Sequence, residues 1–150
     1  MTKHSGKARA LGINHVVLEV GSIDEALDFY GAIFELKLRG LAEGSSFIEM
    51  GAQFIQLSEN RTQEPDGQRH FGLVVDDREV VSEALAEAGV KLLGKRLNFH
   101  DPWGNRIEIV SYDSIQFTKA DHVLRGMGLG DIEKTPDAIA ELAEKGMAPG

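Results

Sequence analysis

His15-Val16-Val17-Leu18-Glu19-Val20 and His70-Phe71-Gly72-Leu73-Val74-Val75 decide the fold of this chain, because each is a version of the other. Both open on histidine and keep Leu and Val at matching places, at an offset of 55 residues (70 − 15). A helix-like segment follows each. A fixed period of this size marks a duplicated supersecondary unit. Two units that each present a histidine at one spot can bring those histidines together across a pseudo-twofold axis.

Working outward, residues 13–20 read as a strand rich in Val, Leu and Ile. Ser22 fits an N-cap, with Glu25 completing a capping box. Ile23, Ala26, Leu27, Tyr30, Ile33 and Phe34 recur at helical spacing, so a helix is predicted to about Leu36. Lys37-Leu38-Arg39 reads as a short strand and 40–46 as a loop. Strands follow over 47–50 and 53–58, split by Gly51-Ala52. A polar linker with Asn60, Pro65, Asp66 and Gly67 fills 60–68.

The second unit repeats this plan. A strand covers 70–75, and Asp77 caps a helix with Val80, Val81, Ala84, Leu85 and Ala88 on its apolar face. Gly89 fits the position just past its end. Short strands are predicted over 90–93 and 96–99, a turn over Asp101-Pro102-Trp103-Gly104-Asn105, and a last strand over 106–111. Beyond Tyr112 no third unit appears. Phe117–Arg125 reads as a short helix, and Thr135-Pro136-Asp137 starts another that ends near Gly146. The expected organisation is an N-terminal tail over 1–10, one domain over 11–112 with modules 13–58 and 69–111, and a helical extension over 113–150.

Strand parity places the site. Side chains alternate faces along a strand. Val16, Leu18 and Val20 form one apolar face, as do Phe71, Leu73 and Val75, Ile107 and Ile109, and Ile55 and Leu57. If helices cover those faces, His15, Gln56, His70 and Glu108 point to the other side together. Gln56 and Glu108 are also repeat equivalents, at an offset of 52 (108 − 56). Two imidazoles and one carboxylate with open positions suit a divalent Fe, Mn, Ni, Co or Zn ion, and Gln56 can add a carbonyl oxygen. His100, just before the Asp101-Pro102 turn, suits either an exposed turn residue or a proton carrier at the cavity rim. Arg106 shares the face of Glu108 and suits either a solvated charge or an anchor for a substrate anion.

Composition narrows the partners. Without cysteine there are no disulfides and no thiolate metal sites, which favours a cytoplasmic setting. The net charge of −8 with no dense basic patch argues against nucleic acid. No apolar run of about 18 residues is present, so no membrane span is expected. Lys3, Lys7 and Arg9 have no apolar stretch behind them, so Met1–Ala10 does not read as a signal peptide.

These pieces resemble the vicinal oxygen chelate superfamily of glyoxalases, bleomycin-resistance proteins and extradiol dioxygenases. The matching residues are Asn14-His15-Val16, Asp28-Phe29-Tyr30, Phe34-Glu35-Leu36, His70-Phe71 and Asp101-Pro102-Trp103-Gly104-Asn105-Arg106-Ile107-Glu108. The resemblance covers about residues 12–112. It implies an α+β fold of two βαβββ modules forming a cupped mixed sheet, with a C-terminal helical tail added. It maps His15, His70 and Glu108 onto metal ligands and Gln56 onto a fourth position that is often Glu in glyoxalases. It also implies a homodimer acting on a small-molecule substrate. The expected activity is that of a metal-dependent dioxygenase or a lyase or isomerase, with Glu108 and His100 as catalytic residues. The alternative is a metal-free binding protein of the bleomycin-resistance type.

Overall fold

Each half of the chain builds its own mixed sheet, and a helix lies across one face of each. The computed structural model describes residues 6–150, so Met1–Ser5 of the expected tail, with His4, lie outside the described residues. The first unit runs β1 (His15–Glu19), α1 (Ile23–Ile33), β2 (Leu38–Ala42), β3 (Ser45–Met50) and β4 (Gln53–Ser58). The second runs β5 (Phe71–Val75), α2 (Arg78–Glu87), β6 (Asn98–His100) and β7 (Arg106–Ser111). The sheets are ordered β1-β4-β3-β2 and β5-β7-β6. In each, the first strand lies parallel to the last. A parallel pair needs a crossover, and the helix supplies it.

The N-caps form at Ser22 and Asp77, where the sequence places them. Ser22 Oγ accepts from the Glu25 N–H at 3.3 Å, and Asp77 Oδ1 accepts from the Glu79 and Val80 N–H groups. The Ile23 N–H is taken by Glu59 from the start of the linker, at 2.8 Å. α1 stops at Ile33, short of the expected end near Leu36, because Phe34 turns extended and returns Phe34 and Leu36 to the core.

Two further expectations need correction. Residues 40–46 are a β-hairpin rather than a loop, with the turn confined to Glu43-Gly44. All five β2 residues are exposed, so no alternation marked the strand. In the second unit, the strand expected over 90–93 shrinks to a single bridge between Leu92 and Phe99. There Asn98 is buried and donates to the Leu93 and Arg96 carbonyls, which fixes the chain as a turn.

The parity reading holds. Leu18, Ile55, Leu57, Ile107 and Ile109 join Ala26, Tyr30, Ile33, Val81, Leu85 and Phe99 in one core that spans both units. Burying side chains such as Leu57 and Phe99 contributes on the order of 2 kcal/mol each.

The Asp101–Asn105 turn fastens the halves together. Asp101 is 3% exposed, and its carboxylate accepts four hydrogen bonds. They come from the Trp103 and Asn105 N–H groups, the Asn105 amide and the Tyr30 hydroxyl of α1, the last at 2.7 Å. Burial, and after it the adjacent carboxylate, push the Tyr30 phenol well above its usual range, so it stays a donor. Asn105 also donates to the Glu19 carbonyl at the end of β1 and accepts from Arg61. Gly104 has φ +89°, and a Cβ there would meet Pro65 Cβ at 2.6 Å. Only glycine lets the linker lie this close.

Beyond β7 a 3-10 turn (Tyr112–Ser114) leads to α3 (Asp121–Gly126) and α4 (Pro136–Glu144). α3 begins four residues later than the reading from Phe117. α4 starts as read, with the Thr135 hydroxyl accepting from the Ala138 N–H. Lys134 ties the extension down, donating to the Tyr112 and Ile115 carbonyls with its ammonium 3.7 Å from the Tyr112 ring centre. Among the described residues no helix is long and apolar enough to cross a membrane.

Tyr30→Phe deletes one donor to the buried Asp101, and an expected loss of about 1–3 kcal/mol is readable by urea unfolding. Asp66 gives a pH test. Burial alone would raise its carboxyl, but the Arg106 N–H and the Arg69 guanidinium outweigh burial and hold it below the usual 3.8. Its contribution is therefore present above that value and lost as the pH falls through the depressed one. The stability gap between wild type and Asp66→Asn should be full at neutral pH and close in acid, as followed by thermal unfolding.

Candidate functional site

Strand register makes the two halves of the site equivalent. In the first sheet His15 lies opposite Phe54 and Val17 opposite Gln56. In the second, Gly72 lies opposite Glu108. Gln56 therefore pairs with the second residue after His15, and Glu108 with the second residue after His70.

His70 and Glu108 meet. Nε2 of His70 is 3.1 Å from Oε2 of Glu108. The other ring nitrogen, Nδ1, is 2.7 Å from the Gln68 carbonyl. A carbonyl only accepts, so Nδ1 donates to it, and Nε2 is the nitrogen turned to the carboxylate oxygen. Two electron-pair donors at that distance need a positive charge shared between them, which a proton or a metal ion supplies. The Glu108 side chain is 20% exposed, and its second oxygen lies 3.4 Å from Nη1 of the much more exposed Arg96. Arg96 was not anticipated; an exposed loop arginine leaves no periodic signal.

His15 is held in the same style on the other sheet. Its Nδ1 donates to the Asn14 side-chain oxygen at 2.8 Å, which leaves Nε2 as the ring nitrogen not engaged by Asn14. Its ring stacks on Phe54, with centres 4.7 Å apart and planes 4° from parallel. Phe47 meets Phe54 edge-on from β3. Asn14 stood in the quoted motif, but its orienting role depends on a side-chain angle that the sequence does not display. Gln56 is half-buried on the same face as His15, one pair further along.

The chain does not gather all four residues. Among the described residues no group of three or more His, Asp or Glu side chains is placed to hold a metal ion. His70 and Glu108 form one half on the second sheet, and His15 with Gln56 form another on the first.

His100, Arg106 and the nearby Glu19 make hydrogen bonds to the linker and its surroundings. His100 lies opposite Arg106, but its Nε2 is 2.7 Å from the Asp66 carbonyl and buttresses the linker. Arg106 donates to Asn98 and to the Gly67 carbonyl, so its guanidinium serves the linker as well. The Glu19 carboxylate accepts from the N–H and hydroxyl of Thr62.

Comparison with known proteins places these features in a family. Residues 12–109 match the model of the Glyoxalase/Bleomycin resistance protein/Dioxygenase superfamily. The metallothiol transferase FosB of Bacillus licheniformis is 24% identical over 127 residues, covering 73% of this chain and 82% of that protein. A glyoxalase family protein from Bacillus anthracis superposes with a TM-score of 0.59 at 23% identity, covering 70% of this chain and 98% of its own. A variant of the fosfomycin resistance protein FosX from Listeria monocytogenes, complexed with Mn(II) and 1S,2S-dihydroxypropylphosphonic acid, also reaches 0.59. Its identity is 16%, with 67% of this chain and 90% of that one covered. These structural likenesses establish the fold.

Proposed function

Because the chain belongs to the Glyoxalase/Bleomycin resistance protein/Dioxygenase superfamily, we propose that it is a metal-dependent enzyme acting on a small oxygen-rich molecule. His15, His70 and Glu108 hold one divalent ion, with Gln56 beside the fourth position. The observation that carries this reading is the His70–Glu108 pair, in which an oriented Nε2 and a carboxylate oxygen stand 3.1 Å apart. The donor set fits such an ion, since two neutral imidazoles and one carboxylate leave positions open for substrate.

The site is completed by a second copy of the chain. His15 and Gln56 of one copy face His70 and Glu108 of the next, in both directions across a twofold axis. Two observations support this. Among the described residues the single chain gathers no more than two of these His and Glu side chains at one place, and Val17, beside His15 on the open sheet face, is 49% exposed.

When bound, the ion supplies a Lewis acid that stabilises negative charge on substrate oxygens. The chain's own residues orient and balance. Asn14 and the Gln68 carbonyl fix which imidazole nitrogen is offered. Glu108 would provide the countercharge to such an ion, and its second oxygen lies 3.4 Å from the Arg96 guanidinium. The relatives named for metallothiol transfer and fosfomycin resistance support group addition to a small anionic substrate. Glyoxalase-type isomerisation and ring-cleaving dioxygenation use the same kind of ligand set. Fosfomycin consumption with Mn(II), with and without added thiol, tests the first against the others.

Metal titration of chelator-treated protein should give about one Mn(II) per chain, with affinity lowered at least about tenfold by His70→Ala or His15→Ala. No binding would favour the metal-free sequestering alternative. Mixing His15→Ala with His70→Ala chains tests the sharing. A site built between copies regains one intact centre per mixed dimer, whereas a site built within one chain regains none.

A further inference from the structure

The family match ends at residue 109, so the extension lies outside the duplicated fold, yet it doubles back onto the first sheet. α3 sits directly on the β3–β4 turn. A Cβ on Gly51 would meet Val123 Cγ1 at 3.2 Å and Met127 Cγ at 3.3 Å. Ahead of the helix, Nζ of Lys119 donates to the Met50 carbonyl at 2.9 Å and to the Gln53 side-chain oxygen at 3.4 Å. Desolvation pulls this amine below its usual range, so its placement is costly and needs those acceptors.

Gln53 passes the contact on. With its oxygen turned to Lys119, its amide donates to the Ile13 carbonyl at 2.9 Å. The next residue is Asn14, whose carbonyl accepts from the Phe54 N–H and whose side chain accepts from Nδ1 of His15. The segment before His15 has little packing of its own, with Leu11 93% and Ile13 69% exposed. Its position is therefore set by the hydrogen bonds from Gln53 and Phe54.

We infer that the Lys119–Met127 part of the extension braces the metal-binding end of β1, with Lys119 as a positioning residue that sets His15 through Gln53 and the Ile13-Asn14 backbone. The brace rests on the metal reading above, because its output is the aim of the His15 ring. It gives the extension a task at the site, although none of its residues belongs to the ligand set.

Full-length protein titrated with Mn(II) by calorimetry tests this, beside thermal unfolding and the ¹⁵N shift of His15 Nδ1 in the metal-free chain. Lys119→Met should weaken Mn(II) binding about tenfold, the size expected for loss of a supporting partner, and move the Nδ1 resonance toward mixed tautomers. Lys119→Arg should restore most of both. Lys134→Met, which loosens the extension away from Gln53, should lower the unfolding temperature and leave affinity unchanged. If Lys119→Met fails to fold, Gln53→Leu cuts the same path one link later and carries the same expectation.

The brace is overturned if Lys119→Met binds Mn(II) like wild type while His15→Ala does not. It is equally overturned if Lys134→Met weakens binding as much as Lys119→Met. If His15→Ala itself leaves affinity untouched, the metal reading fails, and the brace falls with it.

Discussion

A carboxylate taken out of water is expensive unless every lone pair is matched, and Asp101 meets that condition with four donors. One donor, Tyr30, belongs to the other structural unit. Satisfying the turn therefore requires α1 to be present, and α1 in turn carries β1 with it. Asn105 repeats the arrangement by reaching the Glu19 carbonyl and Arg61. The union of the two units is thus a hydrogen-bonding obligation as well as an apolar one. It fixes where each open sheet face looks, and with it the direction of each histidine.

That fixed union has a cost for the site. With the hairpin of one unit tied to the helix of the other, the described residues of a single chain present His70 with Glu108 on one sheet and His15 with Gln56 on the other. Each half is well prepared. Both histidines have Nδ1 engaged by an oxygen acceptor, one from a side chain and one from the backbone. Both therefore offer the same nitrogen. The acidic half is electrically restless, with Glu108 placed between an imidazole and a guanidinium. Such a group is well suited to exchange one cationic partner for another.

What the sequence made legible follows from what periodicity encodes. The repeat of the histidine motif gave the two equivalent units, and the alternation around Ile107, Glu108 and Ile109 gave the faces. The registers of Val17 with Gln56 and Gly72 with Glu108 then bore out the equivalence of Gln56 and Glu108. β2 escaped notice because a strand exposed on every residue has no alternation to read. The expected strand over 90–93 failed because the buried Asn98 claims nearby carbonyls for a turn. How the two units dock, and so whether His15 approaches His70, depends on contacts such as Tyr30 with Asp101, 71 residues apart. Neither residue advertises the other. The Lys119–Gln53 contact was hidden for the same reason.

β2 closes the first sheet at its rim, next to β3 alone, with Leu38 and Leu41 open to solvent. Unpaired backbone at such a rim is a template on which further strands can stack, the first step toward fibrils. Here the pairing register slips between Leu38 and Gly40, and Arg39 lies within the slip. An irregular, charged border does not present the flat ladder that stacking needs. The chain can keep an apolar rim open to solvent without inviting polymerisation.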